Sequence, residues 1–415
     1  MAEKSTDAIE STRGIAALRH RDFAIFSVAK LLVLTSHHML LIAVGYQIYD
    51  ITGDALALAY TNLVMIAPTF LFALVTGYVC DRYDRRLVVL GGYTCMALTA
   101  ACLWLLTELD LAASGWVYAT LLLNGTARAF FNPATNALIP NLVPANCFAN
   151  SVAWNTTGTK TSQIVGPMLG GLIYLLGPDM VYATSAVGCL AGVLLCTLIA
   201  PREAGSKSKR TNLRELLAGV VYVYRTKVIL GAILLDVVVI LSAGVTAVLP
   251  IIARDVLEIG PAGAGLLRSA MAMGGLAAAL VMTRFPVTFR AGLMMFIGDA
   301  VLCMTAIVMG VSTWLALSIV TMAVMGMADM LAINIRQTLI QVATPNDMRG
   351  RVAAVSTIAG NSGYELGGFR AGLATGLFGI VPALVVGGAV GLALLLVCWK
   401  AFPDLARVQR ADKLA

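Results

Sequence analysis

The stretch Gly77-Tyr-Val-Cys-Asp-Arg-Tyr-Asp-Arg-Arg86 is a short, charge-dense segment between two long apolar runs. Residues 60–79 before it and 87–106 after it are almost wholly apolar, and each run has about the 20 residues that a helix needs to cross a bilayer. Its five charges cannot lie in hydrocarbon, so the segment is predicted to be a loop at the membrane surface. The three arginines place this loop in the cytoplasm, because short loops rich in Lys and Arg stay inside.

The composition agrees with an integral membrane protein. The 415 residues are 59% hydrophobic and only 12% charged, whereas a soluble domain has about 25% charged residues. The net charge of +7 therefore reflects basic inner loops and does not indicate nucleic-acid binding. The eight cysteines are scattered and predict neither a disulfide set nor a metal site. The first 21 residues lack the apolar core of a cleaved signal peptide.

Twelve apolar runs are predicted to be membrane spans. They lie at residues 23–48, 56–79, 87–107, 114–136, 150–176, 180–200, 228–251, 262–284, 291–311, 314–335, 352–378 and 380–401. Lys and Arg lie in the N-terminal segment, in alternate loops and in the C-terminal tail, and only Arg254 lies on the other side. We therefore expect a multi-pass protein of the inner (plasma) membrane with both termini in the cytoplasm. One inner connection, residues 136–147, has no charge, and Pro140 and Pro144 predict a tight turn there.

The longest polar break, residues 201–211, divides the spans into two sets of six. We expect an N-terminal six-helix bundle over residues 1–200, a cytoplasmic linker over 201–227 and a C-terminal six-helix bundle over 228–415. Residues 213–224 in the linker are of mixed polarity and predict an amphipathic surface helix.

The opening stretch resembles the signature of the loop between helices two and three in the major facilitator superfamily of secondary transporters. The resemblance implies that Gly77 allows close helix approach, that Asp81 caps or pairs with a neighbouring helix, and that Arg82 and Arg86 clamp the cytoplasmic gate. It also implies the major facilitator fold, an all-α membrane protein with twelve transmembrane helices in two pseudo-symmetric halves. The alternative is an ordinary basic inner loop, which any polytopic protein has.

Three further stretches resemble the siderophore-exporter and macrolide-efflux branch of this superfamily. They are Asn124-Gly-Thr-Ala-Arg-Ala-Phe-Phe-Asn-Pro133, Leu138-Ile-Pro-Asn-Leu-Val-Pro144 and Thr344-Pro-Asn-Asp-Met-Arg-Gly-Arg351, the last preceded by Arg336. This resemblance implies efflux of small amphipathic molecules by alternating access, with the binding site between the halves near mid-membrane.

Ionisable residues inside a span are costly and usually functional. Three cations, Lys30, Arg128 and Lys160, lie in first-half spans without a balancing acid. In this superfamily the same spans line the central cavity, so we expect these cations to bind an anionic group such as a carboxylate or catecholate. Further candidate substrate-binding residues are His37, Asn155 and Gln163. The alternative is structural: Lys30 reaches the inner interface, Arg128 bonds helix-end carbonyls, and the histidine serves packing.

The second half holds the acids. Asp236 and Asp329 are the predicted proton carriers, with Glu365 as a further candidate, because burial favours the protonated form of a carboxyl. Arg336 lies seven residues after Asp329 on the same helix face and is assigned to the gate. The alternative is a fixed ion-pair network that holds the inner gate. Asp299 is expected to serve packing or that network.

Span five contains Gly166-Pro-Met-Leu-Gly-Gly171, which resembles a motif associated with antiporters in this superfamily. Gly166 and Gly170 form a small-residue face for helix packing, and Pro167 predicts a kink. Packing alone remains the alternative reading.

The sequence has no phosphate loop, nucleophile elbow or metal-binding spacing, so neither an enzyme nor a cofactor is expected. The favoured hypothesis is a monomeric, proton-coupled secondary exporter of small molecules such as siderophores or drugs. Its expected partners are a small-molecule substrate, for which an anionic group is considered, protons and the lipid bilayer, with no nucleic acid. The alternatives are a proton-coupled uptake symporter for an organic anion and a lipid or lysolipid flippase.

Overall fold

The computed structural model describes residues 14–72, 75–76, 79, 82–200, 213–285, 290–345 and 348–408. These ranges are helical almost throughout and contain no β-strand. Twelve of their helices have 17 residues or more, and a thirteenth, α7, lies in the linker. The helices are α1 (Arg21–Thr52), α2 (Ala55–Leu71), α3 (Arg85–Glu108), α4 (Ser114–Leu142), α5 (Phe148–Ile173), α6 (Pro178–Thr197), α7 (Leu213–Arg225), α8 (Lys227–Ala243), α9 (Gly260–Arg284), α10 (Ala291–Val311), α11 (Leu315–Ala343), α12 (Arg349–Phe378) and α13 (Ile380–Ala401).

The long helices correspond one to one with the predicted spans. Within the described ranges, eight are long and apolar enough to cross a membrane, and α2 is a shorter apolar helix. The other three, α4, α5 and α12, have 29, 26 and 30 residues but are interrupted by polar side chains. The predicted fold class is confirmed.

The chain divides into two compact units, the first comprising Met1–Gln47 and Val64–Thr211 and the second Ile48–Leu63 and Asn212–Ala415. An aromatic cluster that includes Phe23, Phe26 and Phe131 fills the core of the first unit. In the second unit, Val223 of α7 packs with apolar residues of α8, α11 and α12. The hydroxyl of Tyr222 donates to the carbonyl oxygen of Ala343 at 3.1 Å, so the linker helix is held against the end of α11. The domain boundaries predicted from the sequence stay a prediction.

One predicted detail is wrong. Helix α4 continues through Pro133 and Pro140 to Leu142, so the expected tight turn from residue 136 does not form, and the connection starts only at Val143. Proline removes one backbone donor, but the surrounding turn still buries Leu138, Ile139 and Leu142. A helix can therefore persist across a proline where its apolar face remains packed.

The predicted seventh span, 228–251, is not one continuous helix. Helix α8 ends at Ala243, and Gly244 adopts a left-handed conformation with φ of 51°. Short turns follow, and the last of them, Ile252–Val256, is a π-helical turn. A Cβ on residue 244 would lie 2.6 Å from the carbonyl oxygen of Gly367, so the break depends on glycine both for its dihedral angle and for its space.

Small residues bring α5 into contact with α1. A Cβ on residue 166 would lie 2.5 Å from the Cβ of His38, and one on residue 170 would lie 2.8 Å from the Cα of Met39. Both glycines and Pro167 are buried. The two helices therefore approach at a distance that only glycine permits at these positions.

We expect Gly166→Ala to lower the unfolding temperature of the purified protein in detergent, because overpacking a tight contact costs about 1–3 kcal/mol. Gly158→Ala is the matched control, since it lies on the same helix with nothing within 4 Å of the added Cβ. Ala replaces Gly in a helix with a gain of about 1 kcal/mol, so the control should be neutral or stabilising. Equal unfolding temperatures for the two variants would contradict the close contact.

Candidate functional site

Lys30 of α1 and Asn155 of α5 are joined in the first unit. The Nζ atom of Lys30 donates to the Oδ1 atom of Asn155 at 2.5 Å. Lys30 is 9% exposed, and no ion pair with an acidic side chain is seen among the described residues. The ammonium group has two further donors, so the position combines a fixed cation with free capacity for an anionic ligand.

His37 lies two turns after Lys30 on the same face of α1. Its side chain is buried, and its Nδ1 atom has no hydrogen-bond partner among the described residues. Arg128 of α4 and the neighbouring His38 act electrostatically on it. The structure thus brings the predicted residues Lys30, Asn155, His37 and Arg128 to neighbouring positions on α1, α4 and α5.

Lys160 and Gln163 are half-buried on α5. Neither is linked to Lys30 or His37 by a hydrogen bond or ion pair in the described part of the chain. They continue the polar side of α5 beyond Asn155, but they do not take part in the Lys30–Asn155 hydrogen bond. Their predicted role in substrate binding stays a prediction.

The loop before α3 is described only in part, and Gly77 and Asp81 lie outside the described residues. Asp84 caps α3 by accepting from the backbone N–H of Arg86 at 2.9 Å. The Arg86 guanidinium donates to the carbonyl oxygens of Thr197 at 2.6 Å and Cys196 at 3.3 Å. These are the last carbonyls of α6, where a cation is favourable. Arg82 is exposed, and the gating role of these residues stays a prediction.

In the second unit, Asp236 of α8 and Arg336 of α11 form a buried ion pair. The Nη1 atom of Arg336 donates to the Oδ2 atom of Asp236, and the two side chains are 8% and 2% exposed. Gly360 of α12 leaves room for the guanidinium, since a Cβ there would lie 3.4 Å from its Nη2 atom. A buried charge of this kind requires its partner, because removal of one member leaves the other charge uncompensated.

Asp329 lies on the same helix as Arg336, α11, and its carboxyl contacts a tyrosine. Its Oδ1 atom accepts a hydrogen bond from the hydroxyl of Tyr364 on α12. Arg336 and Arg268 both act electrostatically on Tyr364. Tyr364 therefore contacts the Asp329 carboxyl and also lies within the electrostatic influence of both guanidinium groups.

Tyr364 was not among the residues predicted from the sequence. The available signal was a tyrosine inside a span, directly before Glu365, where a hydroxyl needs a polar partner. Glu365 itself is half-buried and interacts electrostatically with Arg268 of α9.

Arg370 and Arg268 contact the break after α8. Arg370 Nη2 donates to the carbonyl oxygen of Ser242 at 2.5 Å, and Arg268 Nη1 donates to that of Thr246 at 3.5 Å. Ser242 lies in the last turn of α8 and Thr246 in the short turn that follows, where backbone carbonyls can accept from side chains. Arg268 and Arg370 therefore stabilise an interrupted helix next to the acidic residues.

These two sets of side chains can bind an anionic group in the first unit and protons in the second. No group of three or more His, Cys, Asp or Glu residues that could hold a metal ion occurs in the part of the chain that the structure describes.

The chain matches the family described as transmembrane secretion effector over residues 12–413. It is 24% identical over 382 residues to the enterobactin exporter EntS of Escherichia coli O1:K1, which covers 91% of this chain and 90% of that protein.

Two solved structures show the same fold. A bacterial homologue of the human lysosomal transporter Spinster has a TM-score of 0.73 and 14% identity, and the match covers 94% of this chain and 98% of that one. A D-xylose-proton symporter has a TM-score of 0.72 and 14% identity, with 94% and 99% covered. The protein is thus a multi-pass membrane transporter and not an enzyme. By the match over residues 12–413, the chain belongs to the transmembrane secretion effector family within the major facilitator superfamily.

Proposed function

We propose that the protein is a proton-coupled secondary exporter of small amphipathic molecules of the siderophore type, which it carries across the inner membrane by alternating access. The observation that carries this proposal is the similarity to an enterobactin exporter along 91% of the chain. In the proposed orientation both termini are cytoplasmic, as the distribution of Lys and Arg indicates.

The first unit supplies the proposed substrate contacts. Lys30, which donates to Asn155, and Arg128, which acts electrostatically on His37, present cationic and hydrogen-bonding groups on α1 and α4. Lys160 and Gln163 continue this surface along α5. A catecholate or carboxylate satisfies such cations better than a neutral or cationic drug, because a charge-assisted hydrogen bond is about twice as strong as a neutral one.

The second unit supplies the proposed proton carrier. Asp236 is fixed as the ionised partner of Arg336, so its protonation would leave a buried guanidinium without a counter-charge. Asp329 faces a tyrosine hydroxyl instead, and this contact can persist when the carboxyl is protonated. We therefore assign proton binding first to Asp329 and keep Glu365 as a second site. The Asp236–Arg336 pair then holds α8 to α11 in the second unit, where Arg336 keeps its proposed gating role. In the first unit the proposed gating residues are Gly77, Asp81, Arg82 and Arg86.

Asp329→Asn should abolish substrate-driven proton movement and leave substrate binding intact, because Asn still accepts the Tyr364 hydrogen bond but cannot bind a proton. The measurement uses proteoliposomes with a trapped pH dye and a panel of siderophores, organic anions and lipophilic cations, and a separate binding assay. Glu108→Gln, an exposed acid at the end of α3, is the control. Proton movement at the wild-type rate in Asp329→Asn would reject the assignment. Wild-type proton movement in the same direction as the substrate would indicate uptake by symport.

Lys30→Met should weaken binding of anionic substrates by about 10- to 100-fold, since a hydrogen bond to a charged group contributes about 1.5–3 kcal/mol. Binding of neutral analogues should change little, because the methionine side chain retains the length of the lysine stem. Lys400→Met, at an exposed position on α13, is the matched control. Equal losses for anionic and neutral ligands would contradict an anion site.

Asp236→Asn and Arg336→Met should each lower the unfolding temperature strongly, because leaving one member of a buried pair uncompensated costs about 3–5 kcal/mol. The double variant should recover much of that loss. Asp50→Asn is the comparison, since the Asp50–Arg254 pair is 41–44% exposed and an exposed pair contributes about 0–1 kcal/mol. If Asp236→Asn or Arg336→Met is as stable as Asp50→Asn, the proposal that this pair holds α8 to α11 is refuted.

A further inference from the structure

Asp299 of α10 is a buried acid with no assigned role in the proposed function. Its side chain is 1% exposed, and its Oδ2 atom has no hydrogen-bond partner among the described residues. No ion pair of Asp299 with Lys, Arg or His occurs there either. A partnerless carboxylate in an apolar interior is costly, so this setting favours the neutral acid.

Asp299 lies where α10 touches α11. A Cβ on the preceding residue, Gly298, would lie 3.3 Å from the carbonyl oxygen of Ala328 and 3.6 Å from Leu331. Asp329 is the residue after Ala328, and the two carboxyl groups interact electrostatically. The proposed proton carrier therefore has a second acid beside it on the neighbouring helix.

The other groups around Asp299 do not compensate a negative charge. Cys303, one turn further along α10, and Cys398 of α13 both lie within its electrostatic influence. On α8, which also packs on α10, Asp236 is bound to Arg336, and Lys227 at the start of the helix is exposed. The turn Pro403–Ala406 contacts α10 near Gly292, and its Asp404 is exposed. Among the described residues, the titratable group that acts on Asp299 is thus another acid.

We propose that Asp299 and Asp329 form a carboxyl pair that holds the transported proton, with Asp299 as the buried proton-storing member. Two carboxyls at one helix contact cannot both ionise at low cost, so the pair retains one proton over a range of pH in which an isolated acid would lose it. Asp329, which is half-buried and bound to Tyr364, exchanges that proton with the transport path. This inference rests on the proposed proton coupling and adds a second residue to it.

Infrared spectroscopy of the purified protein in lipid, with and without deuterium exchange, tests the stored proton without any transport assay. We expect a protonated-carboxyl band near neutral pH that is lost in Asp299→Asn and retained in Glu108→Gln, which removes an exposed acid at the end of α3. A band that is absent from the wild-type protein, or unchanged in Asp299→Asn, would overturn the proposal.

The pH profile of substrate–proton exchange separates proton storage from packing. In Asp299→Asn, which conserves shape, we expect the half-maximal pH to fall by about one unit, since Asp329 has lost the acid with which it shares a proton. Asp299→Glu should restore most of the wild-type profile, and Cys303→Ala should leave the profile unchanged. An Asp299→Asn profile that coincides with wild type would show a packing role and overturn the proposal. If the wild-type protein moves no protons, the proposed coupling fails, and the infrared result still decides whether the pair is protonated.

Discussion

The buried ion pair between Asp236 and Arg336 is the interaction on which the second unit depends. Charge inside a membrane protein must be compensated locally, because neither lipid nor a packed apolar core solvates it. The pair compensates two charges on α8 and α11 at once and so fixes the relative position of these helices. Arg336 is thus paired with Asp236, and Asp329 on the same helix accepts a hydrogen bond from the hydroxyl of Tyr364.

Glycine residues provide the space and the backbone conformation that these polar contacts need. Gly360 leaves space for the Arg336 guanidinium, and Gly244 ends α8 so that Ser242 presents a carbonyl to Arg370. In the first unit Gly166 and Gly170 bring α5 onto α1, the same two helices that Lys30 and Asn155 connect. Close helix approach, which small residues permit, and polar contact therefore occur together between α1 and α5. A larger side chain at these glycines would displace the charged groups as well as the backbone.

The helices could be predicted from the sequence because each is a long apolar run with charged ends, and that signal is local. Which charged residues pair with each other could not be predicted from the sequence. Asp329 and Arg336 are seven residues apart on one helix face, whereas the actual partner of Arg336 is 100 residues earlier in the chain. Which acid an arginine meets is decided by helix packing, which one sequence does not encode locally. The same limit explains the missed Tyr364, the continuation of α4 through Pro140 and the break at Gly244, since tertiary contacts overrule local signals at each of these positions.

The distribution of charge has a consequence for the proposed mechanism. The candidate substrate contacts, Lys30, Arg128 and Lys160, are cations in the first unit, and the candidate proton carriers are acids in the second. An anionic substrate and a proton then do not compete for the same side chain, so coupling cannot arise from simple displacement at one site. It must arise from a conformational equilibrium to which both ligands bind with different affinities, since a ligand shifts an equilibrium only by its difference in affinity for the two states. Under this scheme, neutralising the acids should uncouple transport without abolishing substrate binding. Neutralising the cations should weaken substrate binding and leave proton binding to the acids intact.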